Sequence, residues 1–343
     1  MSARRGPLPL TVIGGFLGAG KTTLLARILR ESRGQRLAVL VNDFGALNID
    51  AELVVAKDGD MIALTNGCAC CSIGDDLTDA LIRVLAAPAP FDAVVIEASG
   101  ISDPWRIAQV GLADPGLSLD GVIVLVDAAT VLEQAADPLL ADSLRRQLKA
   151  ADLVVINKAD LVDAGRLEQV RDWVAGAVPD APTFVARRAN VPLALISGAA
   201  MPVPPDTDAV GGPGSGSEVA EWSAHRGHEG GHGGHAHGSD GHDLGDPAHG
   251  AVFETWSCRP QRMLPAQALR DWLRSRPTGV LRLKGLVRTD EHGWAEVQFA
   301  GRRGSLRRAR NEPRGEAAVV AIGLRGCLPT GALQRLFDDA RAA

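Results

Sequence analysis

The segment Gly15-Phe-Leu-Gly-Ala-Gly-Lys-Thr-Thr23 constrains this chain more than any other. It follows an apolar run, Leu10–Ile13, and precedes Leu24, Leu25, Ile28 and Leu29 at helical spacing. Strand, glycine loop and helix in that order make a phosphate-binding loop, in which backbone N–H groups converge on phosphates at a helix N-terminus. Gly15, Gly18, Ala19 and Gly20 shape the loop. Lys21 is expected to neutralise the β- and γ-phosphates, and the Thr22 hydroxyl to enter a Mg2+ shell.

The rest of the chain is organised around that unit. Residues 8 to about 200 alternate apolar runs with helical patterns, which predicts an α/β domain with a parallel sheet flanked by helices. Strands are expected at Leu10–Ile13, Leu37–Val41, Ala93–Ile96, Gly121–Val126, Leu153–Ile156 and Phe184–Val185, and helices at Lys21–Ser32, Asp75–Leu85, Pro138–Ala150 and Leu167–Ala175. From 201 to 250 the composition turns to Gly, Pro, Ser, Asp and His, a linker poor in core formers. Residues 251–343 read as a small α+β domain: strands at Val252–Cys258, Val280–Val287, Ala295–Phe299 and Ala317–Ile322, helices at Pro265–Arg274 and Thr330–Ala342. The formal net charge of −5 conceals a division, with +8 from Ala251 onward and −13 before it. Acidic and basic halves of one chain can attract each other or different partners.

Two further signals concern the nucleotide. Asn157-Lys158-Ala159-Asp160 follows the strand Leu153–Ile156, at the carboxyl edge where α/β proteins bind ligands. A carboxylate at Asp160 can accept hydrogen bonds from both the N1–H and the 2-amino group of guanine, which favours GTP over ATP. Glu97 ends the apolar strand Val94–Ile96 and is placed to hold a Mg2+-bound water, while the Gly100 N–H is placed to sense a γ-phosphate. Asp127 caps the turn after its strand, and Ser197-Gly198 forms a loop near the base.

Cys68, Cys70 and Cys71 put three thiols within four residues, between the phosphate loop and Glu97. Thiolates suit Zn2+, Co2+ or Cu+, and three of them leave a position for exchange or for an acidic ligand such as Asp43. The competing readings are a redox set or small buried hydrophobes. Such a cluster fits a reducing compartment, and no apolar run is long enough to span a bilayer, so a cytoplasmic protein without a membrane partner is expected. Cys258 and Cys327, isolated in apolar runs, are expected in a core.

The motifs GGFLGAGKTTLL (14–25), VNDFG (41–45), ALTNGCACCS (63–72), EASGISDP (97–104) and NKAD (157–160) together resemble the CobW-type branch of metal-handling P-loop GTPases. That resemblance implies a GTPase domain with a basic, strand-rich second domain. It implies phosphate and Mg2+ binding by Lys21, Thr22 and Thr23, guanine selection by Asp160, and binding of a transferred metal by Cys68, Cys70 and Cys71. The triple-cysteine loop sets the chain apart from nickel-handling relatives. Many members have Glu at the position of Asp43 and a second acid at that of Ala46, so Asp43 serves either Mg2+ or the cargo metal.

His225, His228, His232, His235, His237 and His242, with His249, lie in the glycine-rich linker, where neutral imidazoles can hold several metal ions weakly, as a reservoir does. Compositional bias in a soluble spacer would look the same. Arg302, Arg303, Arg307, Arg308 and Arg310 cluster near Trp294 and Phe299; without an RNA-binding motif, a solvated face or docking on an acidic client is favoured over nucleic acid. The expected function is a slow GTPase that passes zinc, or alternatively cobalt, to a metalloprotein client under nucleotide control, with GTP or GDP and Mg2+ bound and a nucleotide-dependent homo-oligomer as one assembly. The rivals are a metal store or sensor that uses GTP as a conformational marker, and an assembly factor for a cobalamin or other metallocofactor enzyme.

Overall fold

A computed structural model describes residues 6–32, 35–41, 61–63, 73–197, 253–309 and 316–337, with backbone alone for 61–63 and 73–76. Strands β1 (Leu8–Gly15), β2 (Leu37–Val41), β3 (Met61–Ala63), β4 (Ala93–Glu97), β5 (Leu117–Asp127), β6 (Leu153–Asn157) and β7 (Thr183–Val185) form one sheet in the order β3-β2-β4-β1-β5-β6-β7. Every pairing in it is parallel. Such a sheet is covered on both faces, so its strands are continuously apolar. Accordingly β2, β4 and β6 are buried at every position.

The helices in this half are α1 (Lys21–Glu31), α2 (Ile73–Ala86), α3 (Pro104–Ala113), α4 (Val131–Ala136), α5 (Ala141–Ala150), α6 (Ala164–Ala177) and the short α7 (Leu193–Ile196). Strand side chains alternate between two cores. Leu10, Val12, Leu40, Val94, Ile96, Val124 and Ile156 meet the helical layer through Leu81, Ile107, Leu144 and Val170. On the opposite face Ile13, Val39, Val95, Leu125 and Val155 meet Leu24, Leu25 and Ile28 of α1. Five elements escape the sequence reading, namely β3, α3, α4, α7 and the strand Arg303–Arg308, and two of them show why. The helix α3 starts with an Asp103 side chain that accepts from the Trp105 N–H at 2.9 Å and has Pro104 in its first turn. The strand β11 (Arg303–Arg308) is so polar that it reads as a charge run.

The second half is a five-stranded antiparallel sheet, β11-β10-β9-β12-β8, from β8 (Phe253–Cys258), β9 (Val280–Thr289), β10 (Gly293–Ala300), β11 and β12 (Ala318–Leu324). Helices α8 (Ala266–Arg274) and α9 (Thr330–Phe337) cover one face through Leu269, Leu273, Leu333 and Phe337. Phe299 belongs to this core, so it offers no stacking surface for a base. Cys258 is half-buried beside the same core, whereas Cys327 is exposed, contrary to its expected core position.

The other face of the second sheet closes the first domain: Leu281, Val320 and Ile322 pack into the α1-side core, and the Phe184 and Phe253 rings lie 5.3 Å apart. Charge fixes the docking. Arg282 pairs with Asp120, both side chains nearly fully buried at 4% and 5% exposure. Its guanidinium also donates to the Leu195 carbonyl at 3.1 Å. Arg303 reaches Asp152 at 2.9 Å, donates to the Ala150 carbonyl at 3.0 Å and stacks 4.2 Å from the Trp105 ring. Arg302 donates to the Lys149 carbonyl, and Arg307 to the Ser118 hydroxyl at 3.4 Å. Of the arginines expected to face solvent or an acidic client, Arg302 and Arg303 are used within the chain to hold the acidic half; Arg307 and Arg308 are exposed as expected, Arg307 while reaching Ser118, and Arg310 lies outside the described residues.

Asp152 tests the electrostatics of this seam. Its carboxylate accepts from the Val122 N–H at 2.9 Å. Burial pushes its pKa from 3.8 up to about 6, against the pull of Arg303, the Val122 bond, Arg302 and Arg282. Between those two values the folded protein keeps a proton that the unfolded chain has lost, so this group lowers stability as pH rises. Wild type is expected to lose stability relative to Asp152→Asn between about pH 4 and 6.5 and to run parallel to it above pH 7. At ~1.4 kcal/mol per pKa unit the divergence is at most about 3 kcal/mol. Urea titrations of both proteins across this range measure it; curves that stay parallel throughout would refute the shift.

Candidate nucleotide and metal site

The carboxyl edge of the parallel sheet gathers the nucleotide motifs. β1 runs into the phosphate loop, β4 ends at Glu97, β5 at Asp127 and β6 at Asn157. Register aligns them, with Ile13 opposite Glu97 and Asp127 opposite Asn157. This is where the strand order reverses around β1, the customary crevice of an open α/β sheet.

The loop between β1 and α1 is held from several sides. Gly15 and Gly18 lead into Ala19, which is buried, and Gly20, which caps α1 in a left-handed conformation with φ 102°. A Cβ on Gly20 would stand 2.3 Å from the Asn157 amide nitrogen. That amide donates to the Ala19 carbonyl at 2.9 Å, while its oxygen accepts from the Ala189 N–H at 2.7 Å. One buried side chain thus joins the phosphate loop to the segment that follows β7. Lys21 is buried, and its Nζ donates to the Phe16 carbonyl at 3.2 Å, so the ammonium is folded over the loop. Thr22 donates its hydroxyl to Glu97 Oε1 at 3.2 Å. Thr23 comes next, on the exposed side of α1.

Gly100 lies against the loop from the β4 side: a Cβ there would meet the Leu17 side chain at 2.7 Å and its backbone nitrogen at 2.8 Å. Its carbonyl accepts from Gln147 Nε2 at 2.9 Å. Gln147 is 1% exposed and sits in the apolar stripe of α5 between Leu144 and Leu148. A polar residue in a buried helical stripe is the signal that sequence reasoning passes over.

At the end of the crevice expected to hold the base, Lys158 has a left-handed backbone, φ 59°, and its Nζ pairs with Asp127 Oδ2 at 2.7 Å. Asp127 also accepts from the Ala129 N–H at 2.9 Å, so it caps the turn as expected and fixes Lys158 besides. Asp160 lies in a short turn with its residue exposed. The segment brought against Asn157 is Ala186–Ala189, with the Ala186 carbonyl accepting from the Ala159 N–H at 3.1 Å. Of the expected loop Ser197-Gly198, Ser197 is buried at the end of α7 and Gly198 lies outside the described residues.

The expected cargo-metal ligands, Asp43, Cys68, Cys70 and Cys71, and the histidines His225, His228, His232, His235, His237 and His242 lie outside the described residues. Among the described residues no group of three or more His, Cys, Asp or Glu side chains comes together as a metal site, and no helix is long and apolar enough to cross a membrane. For Mg2+, the adjacent Thr22 hydroxyl and Glu97 carboxylate offer the hard oxygen donors this ion prefers.

Residues 9–185 match the family model described as "CobW/HypB/UreG, nucleotide-binding domain". The chain belongs to this family. Residues 253–341 of this CobW/HypB/UreG protein also match the model "Cobalamin synthesis protein cobW C-terminal domain". Among relatives, it is 36% identical over 225 residues to the "Zinc chaperone CobW" of a Sinorhizobium species, covering 57% of this chain and 64% of that one. It is 37% identical over 198 residues to the "Zinc chaperone YjiA" of Escherichia coli, covering 55% and 61%. Each match spans less than two thirds of the relative's own length. The crystal structure of the Zn(II)-bound YjiA GTPase from E. coli superposes with a TM-score of 0.44 at 24% identity, covering 96% of this chain and 98% of that one.

Proposed function

We propose that this CobW/HypB/UreG-family chain is a GTP-hydrolysing zinc metallochaperone that passes its metal to a metalloprotein client under control of nucleotide state. The observation that carries the reading is the contact of Thr22 with Glu97 on the sheet edge that also bears Lys21, Asn157 and Lys158. In this reading the loop N–H groups and Lys21 receive the phosphates, and Asp160 accepts the paired donors of guanine. The Gly100 N–H, steadied by the Gln147 bond to the adjoining carbonyl, meets the γ-phosphate. Thr22 would hold Mg2+ directly and Glu97 through water. Mg2+ supplies charge neutralisation at the β- and γ-phosphates, the dominant need of phosphoryl transfer. No side chain is assigned as a general base, so turnover is expected to be slow.

Cys68, Cys70 and Cys71, joined by Asp43, would take the cargo zinc, with the histidine-rich tract as a weak reservoir. The relatives named zinc chaperones support zinc over cobalt. GTP then tightens the metal site and hydrolysis loosens it, a population shift driven by differential affinity.

The test is zinc affinity of protein lacking residues 225–249, loaded with Mg2+·GDP or with Mg2+ and a non-hydrolysable GTP analogue. Tighter zinc binding in the GTP-like state is expected, with GTP tightened by zinc to the same factor, and Cys70→Ala with Cys71→Ala should abolish the difference. Equal affinities in the two states, or zinc binding indifferent to the cysteine changes, would overturn gated delivery.

A further inference from the structure

The two domains border an open cleft of about 610 Å³ on the side of the parallel sheet opposite the nucleotide edge, around Leu119–Gly121 at the amino-terminal part of β5 and Asp152 just before β6. Its lining is one-sided in charge: eight Arg and Lys side chains against two carboxylates, Asp120 and Asp152. Asp180, Asp271 and Glu291 pair with Arg276, Arg274 and Arg270 from outside the lining, and Glu296 lies opposite Arg307, which leaves eight cations against six carboxylates around the cleft.

Strand register explains the arrangement. On β9, β10 and β11 the residues that alternate with the core positions Leu283, Val297 and Phe299 share the face turned to the first domain. Cross-strand rows on that face are Arg282–Ala300–Arg303 and, next to it, Lys284–Gln298–Ser305, with Arg307 one row further on β11 opposite Glu296. The first row is committed to the seam, Arg282 on Asp120 and Arg303 on Asp152. The second row places an ammonium, an amide and a hydroxyl side by side in the cleft wall, with the Arg307 guanidinium beside them. Burial holds the Lys284 pKa down, with the Arg282 charge adding to the effect and Asp120 and Glu296 opposing it. Guanidinium, ammonium, hydroxyl and amide donors side by side match phosphate oxygens. The volume suits a ligand of nucleotide size rather than a single phosphate, and clefts between domains are a frequent place for such sites.

We propose that the interdomain cleft is a second anion site, separate from the phosphate loop, which takes a small molecule bearing two or more phosphates, with Lys284, Gln298, Ser305 and Arg307 as its contacts.

Inorganic tripolyphosphate is the probe, titrated calorimetrically into full-length protein saturated with Mg2+·GDP so that the phosphate loop is filled. One further binding event is expected. Lys284→Gln combined with Arg307→Gln should weaken it at least tenfold while leaving GDP affinity unchanged. The surface change Arg308→Gln, outside this lining, should have no effect. Thermal unfolding without tripolyphosphate checks that the double variant still folds, and the single variant Ser305→Ala, with a smaller loss of binding, provides a second reading if it does not. Absence of binding up to millimolar probe, or binding that survives the double variant and Ser305→Ala alike, would overturn the site.

Discussion

Gly20→Ala is expected to cost at least about 100-fold in affinity for both GTP and GDP. Two effects add. Gly20 has φ 102°, where a side chain costs roughly 1–2 kcal/mol. The new Cβ would also stand 2.3 Å from the Asn157 amide nitrogen. Asn157 cannot retreat without giving up the Ala19 carbonyl on one side and the Ala189 N–H on the other, in a buried setting where each lost bond costs about 1–3 kcal/mol. The phosphate loop and the Ala186–Ala189 segment are therefore disturbed together. At about 1.4 kcal/mol per tenfold, the sum exceeds two decades. Fluorescent-nucleotide titration measures it, and Gly176→Ala, at a helical glycine with open space where a Cβ would be, is the matched control. A loss below threefold would mean that Asn157 does not brace the loop.

The second large effect concerns the domain seam. Arg282→Ala removes one member of a buried ion pair, a change that usually costs about 3–5 kcal/mol because the partner charge stays behind in a poor solvent. Lys284 lies close enough to feel the Asp120 charge, which moves the expectation to the lower end, about 3 kcal/mol. Arg282→Met keeps most of the apolar volume and should cost nearly as much, since charge rather than packing dominates. Arg282→Met with Asp120→Asn should recover more than half of the loss. Urea unfolding of the four proteins decides the matter. A cost under about 1 kcal/mol for Arg282→Ala would show that the Arg282–Asp120 pair does not hold the seam and that Leu281, Val320 and Ile322, with the Arg303–Asp152 pair, carry it.

Those apolar contacts, and the parallel sheet beneath them, are the legible part of the chain. Strands buried on both faces announce themselves as unbroken Val, Ile and Leu runs, so β2, β4 and β6 can be located to within a residue. The phosphate loop is legible because backbone geometry demands glycine at fixed places. The carboxylate at Glu97 is legible because a charge at the end of an apolar strand needs a reason. What escapes is whatever depends on a partner far away in sequence. Gln147 looks like a soluble helix residue until Gly100 is beside it, 47 residues away. The β11 arginines look like a solvated or client-facing patch until Asp152 and Ser118 are placed opposite them. The contacts of Ala186–Ala189 are hidden for another reason: the Ala189 N–H and the Ala186 carbonyl make them, and backbone groups leave no mark in a sequence. Helix α3 is hidden differently: its cap, Asp103-Pro104, falls inside a stretch that already reads as a nucleotide motif.

The seam has a consequence for how such chains diversify. The stretch from 198 to 252 separates the two halves in sequence and would be a natural point for genetic exchange between relatives. Yet Asp120 and Asp152 on one side and Arg282 and Arg303 on the other are matched like a key cut for one lock. A hybrid that joined this amino-terminal half to a foreign carboxyl-terminal half would inherit two buried carboxylates without their guanidinium partners, together with an apolar face shaped for other side chains. Exchange of either half alone is therefore expected to yield a less stable protein than exchange of both together.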